Sequence, residues 1–201
     1  MEKAQAVVDE IVAAGGEAIP DGVSLSIALF CVSLTGGGSP DRSVSVQGSV
    51  AEFADVKGMV SKAVDRWGRL DIAIVNAGIY RDRRIERVTE EDFDLTMSVH
   101  IKGAFNIVKN AWPVMREQEY GRILLTSSGA SFGAKNYWLY GTAKSAMIGM
   151  ANNLKHEGHD LNIKVNCLMP GAATAMTASN PSQSEEEKAQ AAARAPSNQI
   201  C

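Results

Sequence analysis

The stretch that decides the fold is Gly121-Arg-Ile-Leu-Leu-Thr-Ser-Ser128, followed twelve residues later by Tyr140-Gly-Thr-Ala-Lys144. The first part predicts a turn, then a buried strand whose end carries hydroxyl groups. The second part lies within residues 137–156, whose spacing predicts a helix. Tyr140 and Lys144 then lie one turn apart on the same face of that helix. The sequence thus predicts a strand and a helix that bring a phenol, an ammonium group and a serine hydroxyl together.

These three groups suit proton transfer. A free phenol has a pKa of about 10, so it is a poor base at neutral pH. An ammonium group held nearby stabilises the phenolate, so we expect Lys144 to lower the pKa of Tyr140. The hydroxyl of Ser128 can hold a substrate oxygen against the phenol, so that a proton is taken from an alcohol or returned to a carbonyl. Because these side chains include no hydride acceptor, a nicotinamide cofactor is implied.

Two further blocks show an apolar run that ends in a functional-looking turn. They are Asp71-Ile-Ala-Ile-Val-Asn-Ala-Gly78 and Lys164-Val-Asn-Cys-Leu-Met-Pro-Gly171. We expect Asn76 to fix the neighbouring backbone, while the small Ala77 and Gly78 let a cofactor approach closely. Helices are predicted at 51–67 and 96–117. Apolar runs separated by helices predict an α/β fold with a parallel sheet and a ligand site at the carboxyl ends of its strands.

These blocks, in this order, resemble the short-chain dehydrogenase/reductase family over roughly residues 46–177. Within the family, the sequence is most similar to the 3-hydroxyacyl-CoA dehydrogenase domain of the peroxisomal multifunctional β-oxidation enzymes. The likeness is carried by residues 76–83, 99–103, 120–128 and 170–177. It implies a Rossmann-like, doubly wound parallel sheet. It also implies an oxidoreductase of fatty acid metabolism that oxidises a 3-hydroxyacyl-CoA with NAD.

The same resemblance implies roles for individual residues. Ser128, Tyr140 and Lys144 form the catalytic set. His100 stands where the family usually has an Asn that helps hold a water linking the Lys to solvent, and it can make comparable hydrogen bonds. The residues implied in cofactor binding are Asn76, Ala77, Gly78, Tyr140, Lys144, Pro170, Gly171 and Thr174. The separation of Ser128 from Tyr140 is one residue shorter than usual, so Ser127 is an alternative catalytic hydroxyl.

The sequence also departs from the family pattern. The family begins with a strand and a Thr-Gly-x-x-x-Gly-x-Gly loop that holds the pyrophosphate, so residues 1–177 are expected to form a partial domain without the first β-α-β unit. The strand that selects NAD or NADP is also missing, which leaves that choice open. Residues 21–45 are expected to be an insertion. Its Thr-Gly-Gly-Gly segment at 35–38 is not expected to bind phosphate, because no clear amphipathic helix follows it. Residues 178–201 are expected to form a polar tail.

These departures affect the expected function. Without the glycine loop, we expect the chain to bind nicotinamide cofactors only at roughly millimolar concentrations. The alternative function is a non-catalytic fragment or paralogue that acts by association. Homodimers or tetramers would then form through helices 96–117 and 137–156, the pair that the family uses to dimerise. The absence of the loop favours this alternative, whereas the intact catalytic set favours the enzyme.

The composition argues against several other classes of protein. A formal net charge of −3, with no basic excess, gives no reason to expect nucleic acid or a membrane surface as a partner. Three cysteines, Cys31, Cys167 and Cys201, are too few and too scattered for a disulfide framework or a metal site. The apolar run 23–34 is too short to span a bilayer. We expect a cytoplasmic protein, with the peroxisome as the alternative that the resemblance suggests, although no Ser-Lys-Leu signal ends the chain.

The segment between the second and third blocks is strongly charged. The arginines of residues 81–87 are predicted to lie on a solvated loop, with binding of a phosphate-bearing substrate as the alternative. Thr89-Glu-Glu-Asp92 fits a capping box and predicts that a helix begins there.

Overall fold

A computed structural model of the chain describes residues 31–32, 48–81 and 83–170. Several predictions from the sequence lie outside the described residues. They concern the glycine segment 35–38, the polar tail 178–201, and the implied cofactor contacts Gly171 and Thr174.

Four strands form one sheet in the order β1-β2-β3-β4. They are β1 (Cys31–Val32), β2 (Ile72–Val75), β3 (Gly121–Thr126) and β4 (Ile163–Leu168). The last three strands run parallel, with Ala73 opposite Ile123 and Ile123 opposite Val165. β1 lies within the predicted insertion and pairs antiparallel with β2. The predicted parallel sheet is therefore confirmed for β2, β3 and β4.

Four α-helices connect and flank these strands. They are α1 (Phe53–Trp67), α2 (Glu90–Met97), α3 (Gly103–Glu117) and α4 (Trp138–Glu157). Short 3₁₀ turns lie at Ile85–Arg87, Gly129–Phe132 and His159–Leu161. A π-helical turn, Ser98–Lys102, joins α2 to α3. The helix predicted at 96–117 thus begins earlier, at Glu90, because the capping box of Thr89 and Asp92 starts it.

The core lies between the sheet and the helices. Strand residues Ala73, Val75, Ile123, Leu125, Ile163 and Val165 are buried. The predicted inner face of α3 is confirmed by four buried residues, Ala104, Ile107, Val108 and Ala111. Helix α3 packs against β2 and β3, α4 packs against β3 and β4, and α1 packs against α3. Each fully buried Ile or Leu contributes about 1.5–3 kcal/mol to folding. The result is a Rossmann-like sheet of parallel strands with flanking helices.

None of the helices in the described part of the chain is long and apolar enough to cross a membrane.

Helix α4 approaches the 3₁₀ turn Gly129–Phe132 most closely at Gly141. A Cβ atom added to Gly141 would lie 2.6 Å from the carbonyl oxygen of Ala130. One turn later, the hydroxyl of Ser145 donates to the carbonyl oxygen of Ser131 at 3.0 Å. The absence of a side chain at Gly141 therefore lets the helix pack directly against the backbone that follows the end of β3.

We predict that Gly141→Ala lowers the free energy of unfolding by about 1–3 kcal/mol, because the added methyl group pushes the backbone of Ala130 away from the helix. Gly149→Ala is the matched control on the same helix. Its Cβ would meet nothing within 4 Å, so the higher helix propensity of Ala should stabilise the protein by up to about 1 kcal/mol. Urea denaturation of both variants measures the difference. Equal effects of the two substitutions would contradict the close approach at Gly141.

Candidate active site

The carboxyl ends of β2, β3 and β4 meet at one edge of the sheet, because the three strands are parallel. Asn76 follows β2, Ser127 and Ser128 follow β3, and Pro170 lies two residues after β4. The side chains of Asn76 and Pro170 are exposed, as is Gly78. The residues that the sequence analysis placed around a ligand therefore lie at the edge where open α/β sheets bind their ligands.

Ser128 begins the 3₁₀ turn after β3, and its hydroxyl accepts a hydrogen bond from the amide of Ala130 at 3.3 Å. The same hydroxyl lies close enough to the phenol of Tyr140, in the first turn of α4, to oppose the effect of burial on the pKa of that phenol. The end of β3 and the start of α4 therefore bring Ser128 and Tyr140 together, as the sequence predicted.

Ser127 faces a different partner, although it is the neighbouring residue. Its side chain is buried, and its hydroxyl donates to the carbonyl oxygen of Lys144 at 2.8 Å. It also lies 2.8 Å from the hydroxyl of Ser131. These contacts direct Ser127 toward the backbone of α4. Of the two serines between which the sequence could not choose, Ser128 is the one whose hydroxyl meets the phenol.

Lys144 is buried, with only 4% of its surface exposed. Its ammonium group donates to the carbonyl oxygen of Thr126 at 2.8 Å and lies 5.7 Å from the centre of the Tyr140 ring. Burial disfavours the charged form and lowers the pKa of Lys144 from 10.5 to about 8.

The pKa of Tyr140 differs from the expectation. Burial raises it above 10.0, and the hydrogen bond from Ser128 offsets only part of that rise. The expected lowering of the pKa was wrong for this structure, because removal of the phenolate from water dominates and the neighbouring Tyr137 raises the pKa further. At neutral pH Tyr140 is therefore a neutral phenol, ready to donate a proton.

His100 lies in the π-helical turn, with its ring centre 5.5 Å from that of Tyr140. Its Nε2 atom is 2.8 Å from the carbonyl oxygen of Ile79 and 3.2 Å from the amide nitrogen of the same residue. Burial, assisted by the charge of Lys144, lowers the pKa of His100 to about 4, so the ring is neutral at neutral pH. A Cβ atom at Gly78 would lie 2.6 Å from the ring, so the imidazole packs against the loop after β2. The water-holding role of His100 stays a prediction.

Sequence reasoning missed two residues beside Tyr140, namely Tyr80 and Tyr137. The ring centres of Tyr80 and Tyr137 are 5.0 Å apart. They lie 5.5 Å and 6.2 Å, respectively, from the ring centre of Tyr140, and both contacts are close to edge-on. We call these three residues the tyrosine cluster. Two features of the sequence could have indicated them. Tyr137 lies one helical turn before Tyr140, and Tyr80 follows the Asn76–Gly78 turn by two residues.

The loop that carries Tyr80 is fixed by two ion pairs. Arg81 and Arg83 contact separate oxygens of Asp92 at 2.9 Å and 3.1 Å. Asp92 is buried and also accepts from the amide of Thr89, and these partners lower its pKa. Arg81 and Arg83 lie on a loop with 42% and 41% of their side chains exposed, in agreement with the predicted solvated loop, and they also pair with the buried carboxylate of Asp92.

The edge of the sheet beside Tyr140 is lined by exposed residues. Within the described ranges, no group of three or more His, Cys, Asp or Glu residues is placed to hold a metal ion. Asn76 and Gly78 are exposed at the edge that carries Tyr140, and the space that a side chain of Gly78 would occupy is taken by the ring of His100. Pro170 lies exposed at the same edge.

Residues 4–187 match the short chain dehydrogenase family. The chain belongs to this family. Peroxisomal multifunctional enzyme type 2 of Mus musculus is 40% identical over 136 residues, which cover 64% of this chain and 18% of that protein. The 3-oxoacyl-[acyl-carrier-protein] reductase FabG of Thermotoga maritima is 35% identical over 140 residues, or 69% of this chain and 57% of the reductase. The solved structure of an ElxO variant with NADPH bound has a TM-score of 0.60 at 29% identity, and the match covers 62% of this chain and 51% of that chain.

This short-chain dehydrogenase therefore spans only part of each relative's length, and less than a fifth of the mouse enzyme.

We predict that Ser128→Ala raises the pKa of Tyr140 further, because the hydrogen bond from Ser128 favours the phenolate. An absorbance titration of the phenolate band measures this, and Tyr140→Phe identifies the contribution of Tyr140 among the four tyrosines.

Ser127→Ala is the matched control. It should leave the pKa of Tyr140 unchanged. It should lower the free energy of unfolding by about 1 kcal/mol, because it removes the hydrogen bond to the backbone of α4. A rise in the pKa of Tyr140 in Ser127→Ala, but not in Ser128→Ala, would reverse the assignment of the two serines.

Proposed function

We propose that this short-chain dehydrogenase transfers hydride between NAD(P) and an alcohol or ketone, with NAD and a 3-hydroxyacyl-CoA as the preferred pair. The observation that carries the proposal is the proximity of the Ser128 hydroxyl, the Tyr140 phenol and the buried Lys144 at the carboxyl edge of the sheet. Support for the substrate class comes from the Thermotoga maritima relative, a 3-oxoacyl-[acyl-carrier-protein] reductase. Support for a nicotinamide cofactor comes from the NADPH bound to ElxO.

In the proposed reaction, Tyr140 exchanges a proton with the substrate oxygen. In reduction, the neutral phenol donates its proton as the carbonyl oxygen becomes a hydroxyl. In oxidation, the phenolate accepts the proton of the carbinol. The Ser128 hydroxyl holds that oxygen at the phenol, and the buried Lys144 lies one helical turn from Tyr140. A nicotinamide bound at this edge supplies the hydride donor or acceptor.

The residues proposed to hold the nicotinamide are Asn76, Ala77, Gly78, Tyr140, Lys144 and Pro170, together with Gly171 and Thr174. Ala77 and Gly78 let a flat ring approach the backbone closely. Asn76 offers both an amide donor and an acceptor at the same place.

The state of Tyr140 sets the expected dependence on pH. Because burial raises the pKa of Tyr140, the phenol form predominates at neutral pH. Reduction, which needs the phenol, should therefore proceed at neutral pH. Oxidation, which needs the phenolate, should accelerate as the pH rises toward the pKa of Tyr140.

We predict that Tyr140→Phe lowers the reduction of acetoacetyl-CoA by at least about 100-fold, because the proton donor is lost. The assay follows NADH absorbance with the full chain and millimolar NADH, since cofactor binding is expected to be weak. Tyr120→Phe is the matched control: Tyr120 precedes β3 at the opposite end of that strand and stacks on Arg122 at 4.2 Å, so activity should be unchanged.

Unchanged turnover in Tyr140→Phe would refute the mechanism. Tyr140-dependent activity on other ketones, but never on an acyl-CoA, would refute only the substrate class.

A further inference from the structure

The surface around the reactive phenol is aromatic. Tyr80 comes from the loop after β2 and Tyr137 from the residue before α4, so two separate elements supply the rings. The planes of the Tyr80 and Tyr137 rings are tilted by 33° relative to each other. The plane of the Tyr140 ring makes an angle of 88° with that of Tyr80 and 68° with that of Tyr137, so both contacts are close to edge-on. Both residues are half-buried, so part of each side chain faces solvent beside Tyr140. His100 contacts Tyr140 as a further, neutral ring.

The cations closest to this surface in the chain are held elsewhere. Arg81 directly follows Tyr80, but its guanidinium group is bonded to Asp92 at 2.9 Å. The ammonium group of Lys144 is bonded to the carbonyl oxygen of Thr126. The rings of Tyr80 and Tyr137 therefore offer apolar area, and the charges of Arg81 and Lys144 are bonded to other groups.

Two more exposed aromatic side chains lie on the turn after β3 and at the start of α4. Phe132 ends the turn that Ser128 begins and is 77% exposed. Trp138 follows Tyr137 and is 37% exposed. Exposed aromatic residues that adjoin a cluster of chemically reactive groups are typical of ligand-binding surfaces.

We propose that Tyr80 and Tyr137 form an aromatic wall of the substrate pocket, which selects 3-oxoacyl and 3-hydroxyacyl thioesters that carry a flat aryl group on carbon 3. This inference rests on the proposed function, in which the phenol of Tyr140 exchanges a proton with the oxygen on carbon 3 of the substrate. Whatever group carbon 3 carries must then lie beside the ring of Tyr140. The thioester arm is polar, so the apolar wall suits the other substituent. Aromatic pairs favour an aryl group over an alkyl group of similar area by roughly 3- to 10-fold in affinity.

The test measures binding of two small thioesters to the full chain without cofactor. The probes are the N-acetylcysteamine thioesters of 3-oxo-3-phenylpropanoate and 3-cyclohexyl-3-oxopropanoate, whose substituents on carbon 3 have similar areas, and ligand-observed NMR titration gives both dissociation constants. We expect the aryl thioester to bind roughly 3- to 10-fold more tightly. Tyr80→Leu and Tyr137→Leu should each reduce this ratio toward one. Tyr80→Phe and Tyr137→Phe should preserve it, because the rings remain.

Partial unfolding of a variant does not obscure the result, because the ratio compares two ligands on the same protein sample. Tyr120→Leu, at the opposite end of β3, is the control and should keep the wild-type ratio. Equal affinities in the wild type, or a preference that survives in both Leu variants, would overturn the aromatic wall. Failure of both thioesters to bind would also overturn it.

The proposed function is judged separately, by turnover of the same two thioesters with millimolar NADH. An aryl preference in binding without Tyr140-dependent turnover would support the wall and overturn the dehydrogenase function. Tyr140-dependent turnover of both thioesters with equal kcat/KM would support the function and overturn the wall.

Discussion

The candidate active site depends on how the buried Lys144 is held. Its ammonium group donates to the carbonyl oxygen of Thr126, and the Ser127 hydroxyl donates to the carbonyl oxygen of Lys144. These two hydrogen bonds connect the first half of α4 to the end of β3. A buried cation without such a partner would be strongly unfavourable, so the position of the helix is closely constrained. Because Tyr140 lies one turn before Lys144, the same constraint delivers its phenol to Ser128.

A second set of contacts approaches the phenol from the loop after β2. Asp92 holds this loop through Arg81 and Arg83, and His100 holds it through the backbone of Ile79. Both sets of contacts bury Tyr140 among rings, and this burial raises the pKa of the phenol. Packing and proton chemistry are thus linked: the groups that position Tyr140 also keep it protonated at neutral pH.

The strands and helices were predictable because each follows from a local pattern. The continuous apolar run of β2 and the spaced apolar residues of α3 both appear as buried faces. The sequence could not show which of Ser127 and Ser128 meets the phenol. That depends on which hydroxyl faces the backbone of α4, and only the packing of α4 on β3 decides it. The tyrosine cluster joins positions far apart in the chain, so no local pattern signals it. The pKa of Tyr140 was predicted in the wrong direction, since sequence spacing reveals the nearby ammonium group but not the depth of burial.

The most direct test of this account is the titration of Lys144 itself. Carbon-13 NMR of the lysine Cε signals would follow it, with the resonance assigned by its loss in Lys144→Arg. The buried, carbonyl-bonded ammonium group predicts a pKa of about 8 for Lys144. A pKa near the ordinary value of 10.5 would mean that the ammonium group lies in water, and it would contradict the burial of Lys144 on which the site is built.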